Sequence, residues 1–208
     1  MVVHPQQGSS RDPAPGELAL VQQFVNTLDS DGGFEQVELL REPGDLERWL
    51  RDRGLLDNGA RISRADLARA IEVRRALRAL LLANNGVPLD RGALATLNEA
   101  AERAHSTVRF GRDGSAERVP AARGLDGAIA RLLGAVERSM VEGTWHRLKA
   151  CPNPDCEWAF YDRSRNRSSR WCKMAECGNR AKARAFRERQ RPADRRAQPT
   201  GKPRSASA

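Results

Sequence analysis

No isoleucine, leucine or valine occurs after Leu148 in this chain of 208 residues. The segment that follows can bury only aromatic side chains, Met174 and a few alanines. Burial of so few apolar groups does not offset the entropy lost when about forty residues become ordered. Residues 149–208 therefore need a further source of stability, such as a bound metal ion, if they are to fold.

Charge and cysteine content change at the same position. Residues 1–150 hold 21 Lys+Arg and 21 Asp+Glu, whereas residues 151–208 hold 15 and 6, together with all four cysteines. Three independent shifts at one boundary predict two modules that share no aliphatic core. The predicted divisions are a disordered N-terminus (1–15), a helical domain (16–149), a metal-binding module (150–191) and a disordered basic tail (192–208).

Composition excludes some classes of protein. An apolar content of 39% is too high for a wholly disordered chain. No apolar run approaches the ~18 residues that would span a bilayer, which excludes an integral membrane protein. The first residues lack the basic start and apolar core of a secretory signal. We therefore expect a cytoplasmic protein with no membrane partner, whose cysteines are reduced and bind metal.

The spacing of apolar residues in the first module predicts a mainly α fold with a small β-hairpin. Two short strands, around residues 107–110 and 116–119, flank a glycine-containing turn and form the predicted hairpin. An extended stretch is expected at 37–40. Helices are predicted at 17–28, from Pro43 to Gly54, and at 63–84, 90–104 and 125–140.

This helical domain has no signature of catalysis. It contains no glycine-rich phosphate loop, no HExxH and no cysteine, so we expect that the protein is not an enzyme. Asn26 and Arg74 are candidates for a pocket that binds a small anionic ligand. In the alternative, which we favour, Asn26 only closes a helix, while Arg74, Arg75 and Arg78 lay their stems along the core and keep their charged heads in water.

Cysteine spacing gives the strongest signal in the chain. Cys151 and Cys156, and then Cys172 and Cys177, form two CxxxxC pairs separated by 15 residues. Zinc takes four thiolates in a tetrahedron, and paired cysteines let one turn supply two of them. We predict one structural zinc ion, because four thiolates leave no position open to water. An iron–sulfur cluster is the remaining metal alternative, and an arginine-rich surround disfavours it.

Arginines are also placed regularly in the second module. Four lie between the cysteine pairs, and others recur along one stripe of a helix predicted at 178–191. This pattern favours DNA as the partner, with RNA as an alternative in which aromatic rings stack on bases. A protein-interaction module with zinc as a staple is a third possibility. The residues predicted to bind nucleic acid are Arg163, Arg165, Arg167, Arg170, Arg180, Arg184 and Arg187.

Residues 151–189 closely resemble the CGNR-type zinc finger, which is named for residues matching Cys177-Gly178-Asn179-Arg180. Their sequence is CPNPDCEWAFYDRSRNRSSRWCKMAECGNRAKARAFRER. The N-terminal module resembles the ABATE domain that usually precedes this finger. The resemblance lies in LALVQQFVNTLD, followed by DLERWLRDRGLL and a long arginine-containing helix. The resemblance implies a bacterial stress-induced transcription regulator. It also assigns the zinc ligands to the four cysteines, and we expect the N-terminal domain to sense a signal or to form a homodimer.

Overall fold

A computed structural model of the chain describes residues 13–30 and 36–190. The chain divides into two compact units, the first ending at Cys172 and the second beginning at Lys173. Most of the N-terminus and all of the tail that the sequence predicts to be disordered lie outside the described residues. Ala14, however, is buried, and its N–H donates to Gln22 Oε1 at 2.6 Å. The packed chain therefore begins earlier than predicted.

Within its described residues, the first unit combines five α-helices with three antiparallel strand pairs, β1–β2, β3–β4 and β5–β6. The mainly α fold with a small hairpin is confirmed, and two further strand pairs accompany the hairpin. No helix of the described chain is long and apolar enough to cross a bilayer. The elements are α1 (Leu18–Val25), β1 (Leu28–Ser30), β2 (Gln36–Glu38), α2 (Pro43–Asp52), α3 (Arg64–Ala83), α4 (Arg91–Arg103), β3 (Ser106–Phe110), β4 (Ala116–Pro120), α5 (Gly124–Val141), a 3-10 turn (Trp145–Arg147), β5 (Leu148–Ala150) and β6 (Ala159–Tyr161).

Local capping explains where the longest helix begins. Asp66 N–H donates to Ser63 Oγ at 3.1 Å, and Ser63 N–H donates back to Asp66 Oδ2 at 3.0 Å. This reciprocal pair satisfies two backbone donors that the first turn leaves without an internal partner. α2 ends before Gly54, whose φ of 63° is easy only for glycine. Both boundaries agree with the sequence prediction.

α3 lies against helices and strands that come from both halves of the first unit. Its Val73, Leu77 and Leu81 are buried in the core. The same core includes Ala150 of β5 and Ala159 of β6, and neither alanine is exposed at all. The expectation that the cysteine-rich segment shares no core with the helical domain is therefore wrong. Alanine is small enough to let the short strands approach the helices closely.

Three asparagines anchor β5 and β6 to the helices. Asn26 pairs with the backbone of Ala159 in both directions, accepting from its N–H at 2.8 Å and donating to its carbonyl at 3.0 Å. Asn84 donates to the carbonyl of Leu148 at 2.9 Å. Asn85 donates to the carbonyl of Ala150 at 2.8 Å. These amides satisfy backbone groups that a two-stranded sheet leaves unpaired along its edges.

The second unit consists of one short turn and one helix in its described part. A single π-helical turn (Met174–Gly178) leads into α6 (Asn179–Gln190), which agrees with the helix predicted at 178–191. No residue of α6 is buried. Packing in a core therefore does not explain which side chains α6 carries, and its positive charge needs a different explanation.

Candidate metal centre and nucleic-acid interface

The four cysteines predicted as metal ligands lie together. Their sulfur atoms all lie within 4.8 Å of one another, and the sulfurs of Cys156 and Cys172 are 3.5 Å apart. A tetrahedral zinc site with Zn–S bonds of about 2.3 Å places its sulfurs about 3.8 Å apart. Cys151, Cys156 and Cys177 are buried, and Cys172 is half-buried. The cluster therefore fits a closed, structural zinc site.

Backbone hydrogen bonds set the first cysteine pair. The N–H groups of Cys156 and Glu157 both donate to the carbonyl of Asn153, at 2.9 and 3.0 Å. Glu157 takes a left-handed φ of 49°, which turns the chain back toward β6. Cys151 N–H then donates to the carbonyl of Trp158 at 2.9 Å. The turn thus presents two sulfurs on one side, as a zinc knuckle requires.

Crowding of the thiols makes the site favourable for a cation. The hydrogen bond with Cys156 raises the pKa of the Cys151 thiol to about 12. Hydrogen bonds with Cys151 and Cys156 also raise the pKa of Cys172. Without a cation these thiols keep their protons at neutral pH, because thiolates packed this closely repel one another. A divalent metal ion replaces the protons and removes that repulsion.

A buried ion pair beside the cysteines was not foreseen from the sequence. Lys149 Nζ donates to Asp162 Oδ2 at 2.7 Å, and both residues are buried. Burial alone would raise the pKa of Asp162, but hydrogen bonds from Lys149 and Ser164 outweigh it and lower the pKa to about 2. The aspartate also accepts from Ser169 N–H at 3.0 Å. Asp162 is therefore ionised at neutral pH and hydrogen-bonded to Lys149.

This ion pair organises residues 163–170, which we call the arginine loop. Lys149 Nζ also donates to the backbone carbonyls of Arg167, at 2.6 Å, and Ser169, at 3.0 Å. Arg147 donates to the carbonyls of Asp162, at 2.9 Å, and Ser164, at 3.0 Å. Two cations thus bind the inner side of the loop backbone. The Asp-x-Ser sequence at 162–164, which is typical of a side-chain-capped turn, was the one local signal for this structure.

All four arginines of the loop are exposed, but they differ in their contacts. Arg163 lies 5.6 Å from the ring centre of Tyr161 and donates to the carbonyl of Pro13. Arg167 contacts His146 Nε2 at 2.5 Å. The side chains of Arg165 and Arg170 contact no partner among the described residues. These two are therefore the loop arginines most available to an anionic partner.

The arginines predicted on the C-terminal helix are exposed as well. Arg180, Arg184 and Arg187 all lie on α6, spaced so that they follow one face. The structure thus gathers the predicted residues into two groups, one in the arginine loop and one on α6. Their binding to nucleic acid stays a prediction.

Asn26 and Arg74, the candidate pocket residues, have structural partners. Arg74 is 1% exposed; its guanidinium donates to both carboxylate oxygens of Glu38, at 2.7 and 2.5 Å, and to Thr27 Oγ1 at 2.9 Å. Asn26 forms hydrogen bonds with the backbone of β6. Neither Asn26 nor Arg74 lines the groove of about 830 Å³ between α1, β4 and α5. A ligand pocket at these residues stays a prediction, and an anion there would compete with Glu38.

The alternative prediction for the arginines of α3 is wrong in two of three cases. Arg75 is exposed, as expected, but Arg74 and Arg78 are buried with their charged heads. Their acceptors, Glu38 and the carbonyl of Val25, come from distant parts of the sequence. Hydrogen-bond acceptors brought in by the fold replace the water that the prediction assigned to these heads.

Two family models match the chain. The model of the ABATE family, described as "putative stress-induced transcription regulator", matches residues 18–143. The model of the CGNR zinc finger matches residues 147–190, which include all four clustered cysteines. No curated protein matches the chain. Because the first match covers more than half of its residues, the chain belongs to the ABATE family, and it carries a CGNR zinc finger.

Proposed function

We propose that this protein regulates transcription by binding duplex DNA through its zinc finger, while the ABATE domain senses a signal or forms a dimer. Membership of a family of stress-induced regulators supports the regulatory role. The proposed finger holds one zinc ion on its four cysteines, and that zinc is structural. Contacts with DNA phosphates come from its arginines, and we propose no catalysis.

The character of α6 is the observation that carries this proposal. The helix has five basic residues against one acidic residue, Glu188, and none of its side chains is buried. A helix with no buried face gains nothing from packing in the isolated chain, so a polyanionic partner is the best explanation for its charge. Arginine suits that partner because its guanidinium makes two parallel hydrogen bonds to a phosphate.

The arginine loop supports the same proposal from the other unit. Its backbone is held by hydrogen bonds from Lys149 and Arg147, whereas its four arginine residues are exposed. A prearranged loop loses little conformational entropy when it binds. We propose that Arg165 and Arg170 contact phosphates beyond those that α6 reaches, which enlarges the footprint on DNA.

RNA is the less favoured partner because the finger offers little open aromatic surface. Single-stranded RNA is recognised largely by stacking of bases on exposed rings. Phe160 is buried, and Trp158, Tyr161 and Trp171 are half-buried. Among the described aromatic residues of the finger, Phe186 alone is exposed by more than half.

A competition experiment tests the choice between these partners. Zinc-loaded full-length protein is bound to a labelled DNA duplex, and unlabelled duplex or single-stranded RNA of matched sequence and length is added. We expect duplex DNA to displace the label at a lower concentration than RNA. Displacement by RNA at the lower concentration would replace the DNA proposal with the RNA alternative, and failure of the protein to bind either nucleic acid would favour a protein-interaction module.

Replacing arginines of α6 should weaken binding in a salt-dependent manner. We expect Arg184→Ala and Arg187→Ala each to lower affinity for every duplex sequence and to flatten the slope of log affinity against log salt by about one unit, because each removes one phosphate contact. Arg75→Ala, which removes an exposed arginine of α3, is the matched control and should change neither quantity. Fluorescence anisotropy at several salt concentrations measures both. Slopes equal to that of the unmodified protein would remove α6 from the interface.

A further inference from the structure

Two buried arginines one turn apart on α3 have different electrostatic surroundings. Arg74 is paired with an anion, since Glu38 accepts from it through both carboxylate oxygens. Arg78 is 5% exposed, and its guanidinium donates to a neutral acceptor, the carbonyl of Val25, at 2.8 Å. The Nε–H groups of both arginines lack a hydrogen-bond partner in the described part of the chain, so the two residues differ in their anions and not in this respect. Among the described residues, no carboxylate therefore forms a hydrogen bond with the buried charge of Arg78.

The carboxylate nearest to Arg78 balances its charge less well than Glu38 balances that of Arg74. Glu157 Oε2 lies 3.7 Å from Arg78 Nη1, which is longer than a charge-assisted hydrogen bond. The Glu157 side chain is also one-third exposed, so water screens its charge. A buried guanidinium is costly unless an anion or a set of acceptors balances it.

The metal site beside Arg78 carries an excess of negative charge when zinc is bound. Four thiolates around one divalent zinc ion leave two net negative charges, largely in buried positions. Glu157 directly follows the ligand Cys156, so the Arg78 guanidinium, whose Nη1 is 3.7 Å from Glu157 Oε2, lies next to this knuckle. Burial lowers the pKa of Arg78, and the negative charges of Glu157, Glu38 and Cys156 oppose that effect. The buried cation and the buried anionic centre are therefore neighbours.

We propose that Arg78 of the ABATE domain is the counter-charge of the zinc–thiolate centre. Its guanidinium balances part of the negative charge of the four thiolates and so strengthens zinc binding from outside the finger. The role is independent of nucleic-acid binding. It also joins the two domains functionally, because any movement of α3 that withdraws Arg78 weakens the hold on zinc.

The zinc affinity of full-length variants tests this role. We expect Arg78→Met, measured by competition with a colorimetric zinc chelator, to bind zinc about 10- to 100-fold more weakly than the unmodified protein. Arg78→Lys keeps the charge and should recover most of the loss. Arg75→Met, on the exposed face of the same helix, is the matched control and should bind zinc normally. Equal affinities for Arg78→Met and Arg75→Met would overturn the proposal.

Two further measurements separate a counter-charge from a merely structural residue. We expect Arg78→Met to lower the melting temperature of the zinc-loaded protein but not that of the metal-free protein; equal lowering of both would contradict the proposal. Glu157→Gln removes a negative charge beside the thiolates and leaves Arg78 in place. It should therefore bind zinc a few-fold more tightly, and weaker binding by this variant would also contradict the proposal, even if Arg78→Met failed to fold.

Discussion

Removal of zinc is expected to lower the melting temperature of the whole first unit, and not only to unfold the finger. Structural zinc contributes an apparent ~10–16 kcal/mol in zinc-finger peptides, and the segment after Leu148 has no isoleucine, leucine or valine to replace it. Ala150 and Ala159 belong to the same core as α1 and α3. Loss of the knuckle between these strands therefore removes part of the core, with an expected fall on the order of 10 °C or more.

Calorimetry with and without a chelator measures this effect. Cys156→Ser should melt at the temperature of the chelated protein, and chelator should not lower it further. Restored stability after zinc is added back to the chelated protein controls for side effects of the chelator. Elemental analysis should find about one zinc per chain. Iron with sulfide would contradict the zinc assignment, and an unchanged melting temperature would show that the shared core does not depend on the metal.

Loss of the buried ammonium of Lys149 is the second large effect that we expect. Lys149→Met leaves Asp162 buried and charged without its cation, which should lower the free energy of unfolding by about 3–5 kcal/mol. Denaturant unfolding of the zinc-loaded protein measures it. The control is Lys182→Met, at an exposed position of α6, which should change stability by less than about 0.5 kcal/mol.

A double substitution shows whether this cost comes from the ion pair. When Lys149→Met is combined with Asp162→Asn, no buried charge is left alone, so the second change should cost less than it does in the unmodified protein. Additive costs would contradict the pairing. Because Lys149 also holds the loop carbonyls, Lys149→Met should weaken DNA binding although every loop arginine remains.

The features that the sequence predicts well are those encoded by short-range patterns. Ser63 and Asp66 mark the start of α3 because a helix needs capping at its first turn. The hairpin over 106–110 and 116–120 follows from the turn between its strands. Likewise, the cysteine spacing is sufficient to identify the four clustered sulfurs, because each knuckle is a local turn.

The features that the sequence misses depend on distant residues. Strands β1, β5 and β6 have three residues each, too few for an alternating pattern, and for the first strand pair the sequence predicts only an extended stretch at 37–40, which overlaps β2. The hydrogen bonds of Asn26 and Asn85 to Ala159 and Ala150 join residues 133 and 65 positions apart. A lone asparagine at the end of a helix gives the same signal whether it only caps that helix or anchors another strand. The joint core of the two domains could therefore not be foreseen.

We propose that the zinc finger binds duplex DNA through its arginines, and the salt dependence of that binding is the decisive measurement. Zinc-loaded full-length protein is titrated onto a labelled duplex at increasing salt concentrations. If α6 and the arginine loop neutralise about five phosphates, log affinity should fall against log salt with a slope of about −4 to −5. Absence of measurable, salt-sensitive affinity for any duplex at low salt would contradict the claim.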